Sequence, residues 1–323
     1  MGVAGKKIAF MFPGQGSQKV GMGRVWAEAV PEARAAFEEA DEALGFSLSR
    51  LCWEGPEEEL GLTENTQPAL VATSIAVHRA LGVLAPELMP VAMAGHSLGE
   101  YSALVAAGSL GFADALRLVR RRGQLMQEAV PVGVGAMAAV IGMDPEAIAA
   151  VAADAADAER GEICAVANLN GPAQTVLAGH KAAVDRAVVL AKERGARKAT
   201  LLAVSAPFHS PLMRPAREGL APLLAATPFQ NPKIPVVSNV DAVPVASGDA
   251  AREALERQID SPVRWVESVR WMEDVAGVEV FVEVGPGNVL AGLTRRIVRG
   301  DQGARTTAVS DPDHLRQILT EDD

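Results

Sequence analysis

Gly95-His96-Ser97-Leu98-Gly99, followed by Glu100, has the form G-x-S-x-G. Between a strand and a helix this pattern makes a nucleophile elbow: a sharp turn lifts the serine oxygen clear of the sheet, and the helix N-terminus faces it. The setting fits, because Pro90–Ala94 is a short apolar run of strand type and Tyr101, Leu104, Val105 and Gly108 then recur at helical spacing. A serine hydroxyl is weak at neutral pH and needs a base. Of the five histidines, His78 and His180 fall in or beside predicted surface helices, and His314 lies near the acidic tail. His96 adjoins the serine but should leave the elbow in another direction, as a packing residue. His209 remains, in Ser205-Ala206-Pro207-Phe208-His209-Ser210-Pro211, a loop stiffened by two prolines. A rigid loop at the mouth of a sheet suits a general base, whose proton transfer contributes roughly 10²–10⁴-fold.

An oxyanion needs backbone donors. One is the amide of Leu98, the residue after the serine. The other is expected from Gly14-Gln15-Gly16, where the glycines let the Gln15 backbone approach closely. Each such donor is worth about 2.7–4 kcal/mol in the transition state. Arg122 discriminates further. It falls in the apolar stripe Ala115, Leu118, Val119, Leu125, Met126, and a core-facing guanidinium is costly unless paired. Its partner is either an internal carboxylate or one carried by the substrate, which the planar fork would bind with two hydrogen bonds. No acid between Ser97 and His209 stands out: Asp114, Asp144, Asp154, Asp157 and Asp185 all read as exposed helix or turn residues. A backbone carbonyl is therefore the expected orienting group for His209.

These residues need a large α/β frame. The chain has 323 residues, 49% hydrophobic and 22% charged, enough for one large core or a core plus a subdomain. Strands at Ile8–Phe12 and Pro90–Ala94 alternate with helices at Glu32–Leu44, Gln67–Leu84 and about Ala113–Glu128, the pattern of a mostly parallel, doubly covered sheet. From Pro131 the order changes: strand Val134–Met143, a helix from Asp144-Pro145 to about Ala155, and strands Ile163–Asn168 and Thr175–Ala178. Helix Ala182–Arg194 and strand Ala199–Val204 complete the series. That is β-α-β-β-α-β, the order of a ferredoxin-like unit, predicted as a subdomain of residues 131–203 inserted into a large domain of 1–130 and 204–323. Helix Pro211–Leu224, strand Ile234–Ser238, helices Ala250–Gln258 and Val263–Val275, and strand Val278–Val284 are expected to complete the large domain, with Glu321–Asp323 a frayed tail.

A net charge of −10 argues against nucleic-acid binding. Cys52 and Cys164 lie far apart in no C-x-x-C pattern, which predicts neither a disulfide framework nor a cysteine zinc site and suits a reducing cytoplasm. No apolar run reaches about 18 residues, so no membrane span is expected. Neither signal-peptide nor myristoylation patterns fit the start. Gly14-Gln15-Gly16 fails G-x-G-x-x-G, and Gly133–Ala138, which matches G-x-G-x-x-A, enters a strand rather than a helix, so nucleotide binding is not expected.

Together these residues resemble the malonyl-CoA:acyl-carrier-protein transacylase family, the acyltransferases of fatty-acid and polyketide synthesis. The matching segments are Phe12–Gln18, Gly95–Glu100, Arg122-Gly123, Phe208-His209 and Glu283-Val284-Gly285-Pro286-Gly287. They occur in the family's order over nearly the whole chain. The resemblance implies an α/β fold, with an α/β-hydrolase-like large domain and the ferredoxin-like insertion. It also implies Ser97 as acyl nucleophile, His209 as base, the amides of Gln15 and Leu98 as oxyanion hole, and Arg122 as clamp on the malonyl carboxylate. Gln258 matches the segment whose backbone carbonyl orients the histidine, and Asn168 the small-domain asparagine bordering the cleft. Phe208 resembles the malonyl-selecting form of its motif, with Pro207 a departure from many relatives. The implied reaction is ping-pong between malonyl-CoA and the phosphopantetheine thiol of an acyl carrier protein, with no cofactor or metal. An acidic carrier is expected to dock on basic residues such as Lys181, Lys192, Arg194, Arg197 or Lys198. A monomer is expected. A serine hydrolase, with water in place of the thiol, and a non-catalytic carrier-binding scaffold are the rival readings.

Overall fold

The computed structural model describes residues 3, 5–204, 206–298 and 303–320. Ser205 of the His209 loop, the extreme start and the tail Glu321–Asp323 lie outside the described residues. The chain begins with β1 (Ile8–Phe12), α1 (Arg24–Ala29), α2 (Pro31–Leu44), α3 (Leu48–Glu54), α4 (Glu57–Leu60) and α5 (Thr63–Leu84). β2 (Pro90–Gly95), α6 (Gly99–Ala106) and α7 (Phe112–Glu128) follow. Then come β3 (Gly135–Ile141), α8 (Pro145–Ala155), β4 (Cys164–Gly171), β5 (Gln174–His180), α9 (Lys181–Glu193) and β6 (Lys198–Leu201). A 3₁₀ turn at Pro211–Met213 leads into α10 (Arg214–Ala226), β7 (Val236–Val237), α11 (Gly248–Gln258) and α12 (Trp265–Asp274). The last elements are β8 (Val280–Glu283), α13 (Val289–Thr294), β9 (Arg305–Ala308) and α14 (Pro312–Thr320).

The fold is mixed α/β, with two sheets. One has the order β7-β2-β1-β8-β9, and every pairing in it is parallel. Its strands are apolar on both faces because helices cover both. Ile8, Phe10 and Phe12 point into the core with α2, α5 and α7, and Ala9 and Met11 into a second core with Trp265, Val269 and Phe281. The order reverses at β1, with β2 and β7 to one side and β8 and β9 to the other. Phe12 pairs with Gly95, and Met11 with Glu283. The segments after β1, β2 and β8 therefore emerge together at the C-terminal edge, where open α/β sheets place their ligands.

The other sheet, β4-β5-β3-β6, is antiparallel throughout. Its side chains alternate: Ala138, Val140 and Leu177 pack under α8 and α9, whereas Met137, Val176 and Ala178 join the main core. The β-α-β-β-α-β order read from the sequence is present. The connection before α12 also touches the small sheet through the backbone, since Val263 donates to the Ala167 carbonyl and accepts from the Leu169 amide, both at 2.9 Å.

Several expected boundaries shift, each for a local reason. The helix expected from Val263 starts at Trp265 because the Val263 backbone is committed to β4. The strand expected over Ile234–Ser238 is only Val236–Val237: Pro235 has no amide to give, and Ser238 turns back to bond Val243. The last strand of the small sheet ends at Leu201 rather than Val204, and Leu202–Val204 line a cleft instead. The α6 stripe stops at Ala106, before Gly108 turns left-handed at φ 72°. His78 is not on a surface helix. α5 is largely buried, and His78 lies edge-on to Phe10 and Phe12 with ring centroids 6.1 and 6.3 Å away; burial pushes its pKa down to about 4. Cys52 and Cys164 are buried free thiols. Among the described residues no helix is long and apolar enough to cross a membrane, and no His/Cys/Asp/Glu group could hold a metal.

Candidate active site

β2 ends at Gly95 and α6 begins at Gly99, so the chain reverses within three residues. The turn is tight enough to need both glycines: a Cβ on Gly95 would lie 1.9 Å from the Gly99 carbonyl carbon, and one on Gly99 2.1 Å from the Phe12 carbonyl oxygen. At its apex Ser97 has φ 52°, a left-handed conformation costing a non-glycine residue about 1–3 kcal/mol. His209 is likewise left-handed, at φ 57°.

The serine Oγ lies 2.7 Å from His209 Nε2. On the far side of the ring, Nδ1 is 2.9 Å from the Gln258 carbonyl. A carbonyl only accepts, so Nδ1 carries the proton, and the neutral ring presents a lone pair at Nε2 to receive the Ser97 hydroxyl. Burial, then the charge of Arg122, push the His209 pKa down to about 3, which keeps the ring neutral. The group that orients this histidine is thus a backbone carbonyl, and among the described residues no carboxylate contacts its ring.

Arg122 is 2% exposed, in the middle of the apolar stripe of α7. Of its two expected partners the internal carboxylate is not found: among the described residues no carboxylate pairs with it. Nη1 donates to Gln67 Oε1 at 2.8 Å, and Nη2 donates to Gln258 Oε1 at 2.9 Å and to Ser97 Oγ at 3.1 Å. The carboxyl group of Glu100 lies one amide away, on the far side of Gln258. Gln258 Nε2 donates to Glu100 Oε2 at 2.7 Å, as does the Asn239 backbone N–H at 3.0 Å. Burial pushes the Glu100 pKa up to about 7 against the pull of those hydrogen bonds and of Arg122. A cation thus lies beside the serine oxygen with its formal charge uncompensated by direct contact.

A cleft of about 1020 Å³ opens above these groups, lined by Gln15, Ser97, Arg122, Asn168, Phe208 and His209 among others. The two remaining sequence candidates lie beneath it. Gln258, fully buried, reaches the site through its carbonyl and its amide. Leu98, also buried, contributes its backbone at the N-terminus of α6. The N–H groups of Leu98 and Gln15 donate no hydrogen bond among the described residues. The opposite wall comes from the small sheet, with Met137, Val176 and Asn170. His96 bridges the walls: Nε2 lies 2.8 Å from Asn170 Oδ1 and the ring packs on Trp265 with centroids 5.7 Å apart, so it packs as expected but also lines the cleft. His180 Nδ1 accepts from the Ile163 amide, and His314 Nδ1 lies 3.1 Å from Ser310 Oγ, both away from the serine. Of the basic residues considered for docking, Lys181 and Arg194 are paired with Asp185 and Asp154, and none of the five lines the cleft.

Gln67, Asn239 and the Glu100 carboxylate carry no role in the sequence reading, yet all belong to the hydrogen-bonded layer under Ser97. The polar pair Ser238-Asn239 directly after an apolar strand was the available signal for one of them.

Residues 9–315 match the family described as the acyl transferase domain, and the chain belongs to that family. It is 50% identical over 314 residues to a malonyl CoA-acyl carrier protein transacylase of Haemophilus influenzae, covering 97% of this chain and 99% of that one. Among solved structures, an acyl carrier protein S-malonyltransferase from Vibrio cholerae superimposes with a TM-score of 0.92 at 49% identity, over 97% of this chain and 99% of the other. A malonyl-transacylase in complex with its type II PKS acyl-carrier protein gives a TM-score of 0.91 at 46% identity, over 97% and 98% of the two chains.

Proposed function

We propose that the protein transfers a malonyl group from malonyl-CoA to the phosphopantetheine thiol of an acyl carrier protein, through a malonyl ester on Ser97. The observation that carries this reading is Arg122. A buried guanidinium with only neutral partners, 3.1 Å from the serine oxygen and open to the cleft, is suited to an acyl group that itself ends in a carboxylate. An esterase has no use for it. The names of the relatives point the same way, and the relative in complex with a carrier supports a carrier protein as partner.

In the first half-reaction Ser97 attacks the thioester carbonyl as His209 Nε2 takes its proton. The oxyanion is received by the Leu98 and Gln15 amides, which have no acceptor among the described residues. His209 returns the proton to the departing CoA sulfur. In the second half the carrier thiol loses its proton to His209, attacks the malonyl-serine and takes the malonyl group, and Ser97 recovers its proton. The Gln258 carbonyl keeps Nδ1 protonated throughout. Asn168 borders the acyl position, and the Phe208 ring fills the space an α-methyl would need. The reaction draws on no cofactor or metal.

The architecture supports an α/β-hydrolase-like large domain, residues 1–130 and 204–323, with a ferredoxin-like small domain, residues 131–203, closing over it. A cytoplasmic monomer without nucleic-acid or membrane partners completes the proposal. Incubation with malonyl-CoA should leave an acyl adduct on Ser97, visible by mass spectrometry of the intact chain and its peptides, that a phosphopantetheinylated carrier removes. Rapid loss of the adduct to water without carrier would support a hydrolase; no adduct at all would support a scaffold.

A further inference from the structure

We infer that Asn239 is a positioning residue for Ser97, a clamp that holds the elbow left-handed and keeps the hydroxyl in line with His209. The inference rests on Ser97 being the nucleophile. Asn239 follows β7 by two residues and lies 142 positions from the serine, fully buried. Its side chain spans the elbow from behind. Oδ1 accepts the Ser97 N–H at 2.7 Å, and Nδ2 donates to the Gly95 carbonyl at 2.7 Å. These two bonds fix the backbone on either side of His96, the segment that sets the direction in which Ser97 emerges. Among side chains of this size only a carboxamide offers an acceptor and a donor on one flat group; an ionised aspartate only accepts.

The clamp is itself held. The Asn239 N–H donates to Glu100 Oε2, and its carbonyl accepts the Arg264 N–H at 2.9 Å. Glu100 Oε2 also takes the Gln258 amide, which donates in turn to the Ser97 carbonyl at 3.0 Å. A serine at φ 52° persists only when its surroundings over-determine it. With the clamp gone, the elbow relaxes and Oγ moves off both the 2.7 Å contact with His209 and the 3.1 Å contact with Arg122. The effect falls on the chemical step, because Asn239 does not line the cleft.

The test uses full-length Asn239→Ala and Asn239→Asp with two readouts: the rate at which a fluorophosphonate reacts with Ser97, and malonyl transfer as kcat and KM. In the first, the serine oxygen bonds phosphorus, fluoride leaves and the serine proton passes to His209. For Asn239→Ala both the phosphonylation rate and kcat should fall about tenfold to a hundredfold, with KM for malonyl-CoA changed less than about threefold. Asn239→Asp keeps the acceptor and regains a donor only when protonated. Glu100, which accepts the Asn239 N–H and has its pKa raised to about 7, titrates in this window in both chains. The readout is therefore the ratio of Asn239→Asp to wild-type activity, which should rise as pH falls from about 8 to about 5.5. Should Asn239→Ala melt at the assay temperature, that pH profile decides. A wild-type chain inert to the probe would overturn Ser97 as nucleophile and the clamp with it. A reactive wild type matched by an equally reactive Asn239→Ala, or an Asn239→Asp profile parallel to wild type, would overturn the clamp alone.

Discussion

The two walls of the cleft are built differently. The wall at the edge of the parallel sheet is made where the ends of β1 and β2 converge, and it concentrates strain and charge: Ser97 and His209 are both left-handed, Arg122 is buried among amides, and Glu100 is buried one amide further back. The wall from the antiparallel sheet presents Met137, Val176, Asn168 and Asn170, none of them ionisable. The one shifted group in that sheet, Cys164, belongs to its opposite core, where burial raises its pKa to about 11. Converging strand ends offer unpaired amides and short connections that can hold unusual dihedrals. A sheet face offers only its side chains. One wall is therefore suited to chemistry and the other to shape.

That contrast can be broken at several points. The largest loss is expected for His209→Ala, about 10²–10⁴-fold in kcat for malonyl transfer, measured with saturating substrates. Arg122→Ala should cost malonyl transfer on the order of a hundredfold relative to acetyl transfer, because of the two acyl groups only malonyl carries a carboxylate to which the buried guanidinium could donate. Equal losses with both substrates would reduce Arg122 to a structural cation. Phe208→Ala should raise the methylmalonyl-to-malonyl ratio of kcat/KM by roughly tenfold, the usual effect of one methyl group in a fitted pocket. On the other wall, Asn168→Ala should raise KM only about twofold to tenfold with kcat nearly unchanged, the loss of one neutral hydrogen bond. A kcat effect there matching that of His209→Ala would end the division of labour.

The pH dependence of stability should follow the buried titratable groups around the parallel sheet. His78 and His209 are held neutral, with pKa values pushed down to about 4 and about 3, whereas an unfolded histidine titrates near 6.5. Below about 6.5 the unfolded chain binds protons that the fold refuses, so their contribution is lost as pH falls. Glu100 and Glu283 behave oppositely. With pKa values raised to about 7, they favour the fold at low pH and lose that contribution as pH rises from about 4.5 through 7. Thermal melting across this range should respond to Glu100→Gln on the alkaline side.

The elbow was readable in the sequence because its requirements are local: two glycines and a serine within five residues, with a strand before and a helix after. Arg122 was readable because a cation in an apolar stripe is anomalous by itself. Its partners were not, since Gln67 and Gln258 lie 55 and 136 positions away and look like any polar helix residue. Asn239 was hidden for the same reason. Short helices such as α1 and α13, with six residues each, escaped because fewer than two turns carry no period. The ends of β6 and α12 shifted because the cleft and the neighbouring sheet claim the backbone, which no single-segment propensity records.

The pairing of Val263 with Ala167 and Leu169 has a consequence for how the molecule comes apart. The small sheet enters and leaves the large one through only two covalent crossings, near Pro131 and near Val204. A protease that cut both would still leave two hydrogen bonds from Val263 and the His96–Asn170 contact bridging the cut pieces. A doubly nicked chain should therefore migrate as one particle on gel filtration and separate only in denaturant.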